Sequence, residues 1–450
     1  MTNNLDRNEK IVVRFAPSPT GLFHVGSARV ALFNYLFAKK NNGKLVLRIE
    51  DTDKIRSTKE SEEDIMSGLK WLGFEFDEFY KQSERESIYR KYIEKLISEN
   101  KAYISKEEVK EEGQRAEVIR FRNQNKKVKF KDLIRGEIEF DTTELGDFII
   151  AKSLDEPIFH LVVVVDDFEM GITHIIRGED HISNTPRHIL IQEAIGAPIP
   201  IYAHLPLMLA EDRAKLSKRK HGEMTSVKFY QKNGYISEAF VNFLAFVGWN
   251  PGTEKEIFSL NELINDFDLS KVQKAGAIFN PQKLLWYNKE YLKKLPTESI
   301  KEEIKKRISK DYNDESILEK IIPIISERIN VWSDIDQMVI SGDLEYFFKN
   351  PNIIKDMIVW KKGGTFSEAK ENLTLIIKIV EKISEQDFSL DNLKERLMIL
   401  AEEKGKGNVL WPLRVSLSGK EKSPDPFILL NILGKKTSIE RIKNSIKILE

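Results

Sequence analysis

Residues 12–26 read Val12-Val13-Arg14-Phe15-Ala16-Pro17-Ser18-Pro19-Thr20-Gly21-Leu22-Phe23-His24-Val25-Gly26. A β-branched run ends in a Pro/Gly-rich loop and passes into Ser27-Ala28-Arg29-Val30-Ala31-Leu32-Phe33-Asn34-Tyr35-Leu36-Phe37-Ala38. That second stretch is rich in helix formers, with apolar residues at helical spacing. The reading is strand, tight loop, helix. Such a joint leaves free backbone N–H groups and the positive end of a helix dipole facing an open crevice. His24 and Gly26 fall where the helix begins. A small residue there lets a bulky anion approach the backbone, and an imidazole can donate to a phosphate oxygen. Alone, these residues support a nucleotide crevice and no more, because a lone histidine at such a joint is more often structural than catalytic.

The rest of the chain sets the bounds. At 450 residues it has room for two to four domains. Lys+Arg 71 balances Asp+Glu 71, so bulk charge argues for no nucleic-acid partner, and any such site is a local patch. With Cys 0, disulfides, thiolate metal sites and cysteine nucleophiles are excluded together. No apolar run approaches the roughly 20 residues of a membrane span. The polar stretch Met1 to Lys10 lacks the apolar core of a signal peptide. A cytoplasmic enzyme or binding protein is expected.

Lys44-Leu45-Val46-Leu47-Arg48-Ile49 reads as a second strand ending at Glu50-Asp51-Thr52-Asp53. Strand, helix, strand at this spacing predicts a parallel doubly wound sheet with ligands beyond the strands' carboxyl ends. Glu50 falls at that edge, where an acidic turn capping the next helix is the alternative. Residues 57–100 read as helical. Val118 to Arg122, Lys127 to Phe130 and Glu137 to Phe140 alternate like strands around an Arg135-Gly136 turn. Arg120, Arg122, Lys126, Lys127, Lys129 and Lys131 make this the densest basic stretch of the first half. It is either a solvated strand face or a surface that follows phosphates. Leu161-Val162-Val163-Val164-Val165 predicts a strand covered on both faces. Thr173-His174-Ile175-Ile176 leads into the polar cluster Arg177-Gly178-Glu179-Asp180-His181, and Thr185-Pro186 opens a helix. Leu216-Ser217-Lys218-Arg219-Lys220-His221-Gly222 is a cationic loop, either solvated or suited to neutralising a transferring phosphoryl or adenylyl group. Beyond Phe229 helical periodicity takes over, with breaks expected at Trp411 to Val415 and Ser423 to Phe427.

Together these stretches resemble the bacterial glutamyl-tRNA synthetases, a family of class I aminoacyl-tRNA synthetases. Arg14 to Gly21 with His24-Val25-Gly26-Ser27 is similar to the first family signature. Lys215-Leu216-Ser217-Lys218-Arg219 is similar to the second, about 190 residues later. Arg48 to Asp53 and Gly171 to His181 match blocks between them. Any one motif is weak; two signatures in order with these blocks between them are specific.

The resemblance implies an α/β fold: a class I Rossmann-like parallel-sheet catalytic domain in two halves (8–105 and 161–228) around an inserted α+β acceptor-stem-binding domain (106–160). A helical stem-contact domain (229–320) and an all-α anticodon-binding region (321–450) would follow. It implies that ATP, travelling with Mg²⁺, and L-glutamate form a glutamyl-adenylate, which is then passed to the terminal ribose of tRNA-Glu alone or of both tRNA-Glu and tRNA-Gln. His24, Lys215 and Lys218 would be catalytic. Thr20, His24, Gly26, Asp180, His181, Lys215 and Lys218 would bind ATP. Arg14 and Arg177 would take the substrate's side-chain carboxylate, Glu50 its ammonium with Ser18 assisting, and Phe159 would line the pocket. A guanidinium offers only donors, so a neutral amide presenting N–H₂ is rejected. Arg414, Pro424 and Phe427 would lie near anticodon bases, the arginine on a base edge and the apolar rings stacked.

Three departures stand out. The segment between Lys106 and Val118 is far shorter than in relatives that carry a Cys/His zinc knuckle, and without Cys no structural zinc of that kind is expected. Phe159 stands where relatives usually have Tyr. Ser27 replaces the second His of the general class I signature, as is usual in this family. A monomer is expected. The alternatives are a non-catalytic paralogue that binds tRNA or nucleotide and a truncated paralogue that glutamylates a modified tRNA base. The length of chain after Ile321 speaks against the second, and intact His24, Glu50, Arg177, Lys215 and Lys218 against the first.

Overall fold

The computed structural model describes residues 10–108, 116–308, 312 and 314–450. The short segment after Lys106, and the polar stretch before Lys10, lie outside the described residues for the most part. The chain forms two compact units, one ending at Tyr291 and the other running from Leu292 to Glu450.

The first unit begins with β1 (Val12–Phe15), α1 (Val25–Lys40) and β2 (Lys44–Ile49), as the opening motif predicts. α1 buries Ala28, Ala31, Leu32, Phe33 and Leu36 completely, each of the large ones worth about 1.5–3 kcal/mol of transfer free energy. α2 (Lys59–Trp71) follows, capped by Thr58, whose side chain accepts from Ser61 N. Next comes β3 (Glu78–Lys81), and the parallel order is β1-β2-β3. β3 is absent from the sequence reading because Glu-Phe-Tyr-Lys is short and polar; its pairing with Val46 to Ile49 makes it a strand. α3 (Glu86–Ser98) closes this half.

The chain then builds β4 (Ala102–Lys106), β5 (Glu117–Phe121), β6 (Lys127–Asp132), β7 (Gly136–Asp141), β8 (Phe148–Ser153) and β9 (Glu156–Pro157). These divide between two sheets. β4-β5-β8-β9 is antiparallel, whereas the β6–β7 hairpin attaches to a different sheet, ordered β10-β11-β6-β7 with β10 (His174–Gly178) and β11 (Ile201–Leu205) parallel. The hairpin's link to β11 is the single pairing Tyr202↔Asp132. β10 lies beside β1, joined by Thr173 N–H to Val12 O at 2.9 Å. The chain therefore proceeds outward in one direction from β1 through β2 to β3, and in the other from β10 to β11. Ligands of doubly wound sheets bind at such a switch point.

Leu161 to Val165 is a correction. The run lies in a helix, α4 (Phe159–Glu169), not in a strand. All five residues are at most 2 % exposed, and an element buried all round shows no periodicity by which helix and strand can be told apart. α5 (Thr185–Ile195) begins at Thr185-Pro186 as expected, with Pro in its first turn.

The second unit is helical. Trp411 to Val415 is not a break: it lies within the helix Lys406–Ser418, Pro412 included. Pro412 has no N–H to give the carbonyl of Asn408, one turn earlier. The side chain of Asn372 supplies that bond instead, Nδ2 to Asn408 O at 2.9 Å. The second expected break is real, with Asp425 capping the helix Pro426–Leu449 through the Phe427 N–H. Among the described residues no helix is long and apolar enough to cross a membrane.

Candidate active site

A cavity of about 340 Å³ opens at the switch point. It gathers Arg14 and Ser18 from the end of β1, His24 and Gly26 from the start of α1, and Glu50 from the end of β2. Phe159 comes from α4, Arg177, Asp180 and His181 from the end of β10, and Lys215 from the loop beyond β11. Residues far apart in the chain converge because the carboxyl ends of β1, β2, β10 and β11 and the amino ends of α1 and α4 meet at this edge. Glu50 N–H donates to Pro17 O at 2.9 Å, tying the first two loops together.

His24 is the N-cap of α1. Its Nδ1 accepts from Gly26 N–H at 2.9 Å, so the ring proton sits on Nε2 and is free to donate. Burial, helped by Lys215, lowers its pKa and favours the neutral imidazole. A Cβ at Gly26 would lie 3.0 Å from His24 Nδ1, so glycine here keeps the imidazole in place. Lys215 Nζ lies 3.4 Å from Asp180.

The floor is charged and buried. Asp167 of α4 accepts from Arg14 Nε at 3.2 Å and Arg48 at 2.7 Å. Arg48 also donates to Glu50 at 3.0 Å. Asp166 collects Gln82 (2.9 Å), Arg85 (2.8 Å) and Tyr89 (2.9 Å). Burial opposes the charge on Asp167, yet Arg14 and Arg48 overcome it and hold its pKa below the usual carboxylate range. Glu50 shifts the other way, raised by burial against the pull of Arg48. Arg14 spends only Nε on Asp167, leaving its two terminal nitrogens without a partner among the described residues.

Arg177 is almost completely buried and surrounded by neutral acceptors: His204 Nε2 (3.1 Å), His188 Nδ1 (3.2 Å), Thr185 Oγ1 (2.8 Å) and the His181 carbonyl (3.3 Å). Burial brings its pKa down to about 10, leaving it a cation at neutral pH. Phe159 packs its ring 5.4 to 5.9 Å from those of His160, His181 and His188, and offers no hydrogen bond.

Other expected positions lie elsewhere. Thr20 lines an adjoining pocket with Ser18, His24 and Ser27. Lys218 opens the short helix Lys218–His221, exposed and outside the cavity lining. Arg414 is half-buried. Pro424 is buried and Phe427 only 4 % exposed, so neither presents a free face to a base and the stacking expected of them does not fit this arrangement. The basic stretch is largely balanced by neighbours: Arg120 by Glu107, Lys126 by Glu193, and Lys127 and Lys129 by Glu139.

The sequence reading missed Arg29, a cavity-lining cation that donates to Val247 O at 3.0 Å and to Pro206 O. It also missed Arg48, Asp132, Asp167, His188 and His204. Arg48 stood in a stretch already singled out and Asp167 two residues beyond the Leu161 to Val165 run; the two histidines and Asp132 carried no local signal.

A parallel sheet with a nucleotide-type loop at its switch point, a cationic pocket beside it and a separate helical unit defines a class I synthetase architecture. The family model for tRNA synthetases class I (E and Q), catalytic domain, matches residues 10–116 and 104–286, and the model for an anticodon binding domain matches 285–446. The chain belongs to this family of class I tRNA synthetases. It is 40% identical to the glutamate–tRNA ligase of Aquifex aeolicus, covering 96% of this chain and 98% of that one. Identity to the glutamate–tRNA ligase of Thermodesulfovibrio yellowstonii is 39%, over 96% of this chain and 99% of that one. A crystal structure of a glutamate tRNA ligase from Elizabethkingia meningosepticum, in complex with its amino acid, superposes with a TM-score of 0.85 at 34% identity, covering 98% of this chain and 100% of that one.

Proposed function

We infer that this chain is a glutamate–tRNA ligase that uses the cavity at the switch point for both half-reactions. An oxygen of the glutamate α-carboxylate attacks the α-phosphorus of ATP, and the bond to pyrophosphate breaks. A hydroxyl of the tRNA's terminal ribose then attacks the acyl carbon, and AMP leaves. Neither step needs a covalent enzyme intermediate; orientation and charge stabilisation carry the chemistry.

The observation that supports this reading is the pairing of cations in one cavity with the nucleotide loop. Arg177 has no carboxylate partner among the described residues, and Arg14 has its terminal nitrogens unspent. Together they suit a side-chain carboxylate and repel the N–H₂ of an amide. Glu50 takes the ammonium, with Ser18 beside it. Phe159 supplies an apolar wall without a hydroxyl contact. His24 Nε2–H and Lys215 meet the α-phosphate, Thr20, Gly26, Asp180 and His181 hold the nucleotide, and Lys218 joins when its loop moves inward. Mg²⁺ would come with the ATP and would neutralise charge on its triphosphate. The 292–450 unit reads the anticodon of tRNA-Glu, with Arg414 as the polar contact; tRNA-Gln is the second candidate. The enzyme works as a cytoplasmic monomer.

The test is aminoacylation with labelled glutamate on separate tRNA-Glu and tRNA-Gln transcripts, with Lys218→Ala alongside. Charging of tRNA-Glu is expected, with a loss of about a hundredfold or more in the variant. Charging of both transcripts would mark a non-discriminating enzyme. ATP binding without charging of either would overturn the reading in favour of a binding protein.

A further inference from the structure

The partners of Arg177 specify more than its location. Its Nε has one hydrogen and no lone pair, so His204 Nε2, 3.1 Å away, must be the acceptor. The His204 proton is therefore on Nδ1, which lies 2.7 Å from Asp132 Oδ2. The same oxygen takes the His204 backbone N–H at 3.0 Å, while Oδ1 takes the N–H groups of Ile134 (2.9 Å) and Arg135 (2.8 Å). Every polar group facing the Asp132 side chain is a donor. Both His204 and Asp132 are essentially inaccessible to solvent.

We propose that Asp132 and His204 are positioning residues for the arginine that reads the substrate's side chain: Asp132 selects the His204 tautomer that can accept from Arg177 Nε. This rests on Arg177 contacting that carboxylate. A carboxylate placed directly on Arg177 would orient it equally well but would neutralise the charge the substrate needs. One neutral imidazole between them transmits the orientation and keeps the compensating charge a ring's width away. Without Asp132 the alternative tautomer sets Nε2–H against Nε–H, donor against donor, and the guanidinium turns away. Asp132 is the last residue of β6 and its only pairing with β11. The seating of the β6–β7 hairpin thus enters the amino-acid pocket through one side chain.

The test compares His204→Leu, which lacks an acceptor, His204→Gln, whose amide oxygen can accept from Arg177, and Asp132→Asn, which turns a donor toward donors. Each is assayed as the full chain, varying glutamate and ATP separately. Expected are a rise of about tenfold or more in glutamate KM for His204→Leu and Asp132→Asn, an unchanged ATP KM, and recovery of most of the loss in His204→Gln. Glutamate and ATP constants moving together, or Gln doing no better than Leu, would reduce the pair to a structural role and overturn the proposal. A second measurement needs no variant. Nitrogen-15 spectra of the seven histidines should show the His204 ring with Nδ1 protonated and Nε2 bare, and Nε2–H at His204 would refute the relay. Arg177→Gln in the same assay separates the two levels. If it leaves glutamate KM unchanged, the pocket assignment itself fails; if it raises KM while His204→Leu does not, only the relay fails.

Discussion

At the scale of single residues, the pocket depends on uncharged histidines. His160 and His181 are each pulled down to about 4, first by burial and then by nearby cations, Arg187 and Arg177 for His160 and Arg177 for His181. Burial likewise lowers His188 and His204. In the unfolded chain these rings titrate at about 6.5. Between those values the unfolded chain binds more protons than the native one, so stability falls as pH drops. The contribution is complete above about pH 6.5 and is lost progressively toward pH 4. Denaturant midpoints should therefore hold steady from pH 8 to 7 and decline from pH 6.5 to 5, ahead of the carboxylate range. A flat midpoint across that window would mean that the rings are solvated. Of these residues, only His181 stood in a recognisable motif. Arg177 was legible because the chain brings Arg, two acids and a His together in sequence; its partners at 132, 188 and 204 are joined to it only by the fold.

At the scale of elements, two misreadings share a cause. Leu161 to Val165 has the composition of a buried strand but forms α4, because β-branched propensity is worth only tenths of a kcal/mol per residue and tertiary packing overrides it. The helix also sets Asp166 and Asp167 beneath Arg48, Arg85 and Arg14. Trp411-Pro412 has the look of a break, and the helix continues because Asn372 occupies the carbonyl that proline leaves bare. Asn372→Ala should cost about 1–3 kcal/mol, the price of one buried acceptor left unpaired, seen as a lower urea midpoint at constant slope. Adding Pro412→Ala restores an N–H to Asn408 O and should recover part of the loss. Strict additivity of the two changes would show that Asn372 does not compensate for the proline.

At the scale of the molecule, the two units bury separate sets of side chains, α1 and the sheets in one and helices such as Phe366–Glu381 and Pro426–Leu449 in the other. The residues that line the switch-point cavity all belong to the first unit. An unreactive glutamyl-adenylate analogue at a hundredfold its Kd should add about 2.7 kcal/mol to unfolding of that unit. Amide exchange in α1 should slow accordingly while the helix Phe366–Glu381 exchanges as before. Protection appearing in both would reveal coupling between the units.

By itself the sequence determined the strand–loop–helix at residues 12–38, the parallel sheet with its ligand edge, the family, and most of the cavity's polar residues. Those features are local: periodicity, turn residues and short polar clusters at strand ends are written in contiguous stretches. Tertiary structure alone decided that the valine run is a helix, that residues 78–81 are a strand, and that the hairpin 127–141 joins the sheet of β10 and β11. It also decided that Phe427 is buried and that Asp132 stands behind Arg177. In each case the deciding energy comes from packing and pairing side chains against partners up to 153 residues away, and spacing along the chain carries no record of it.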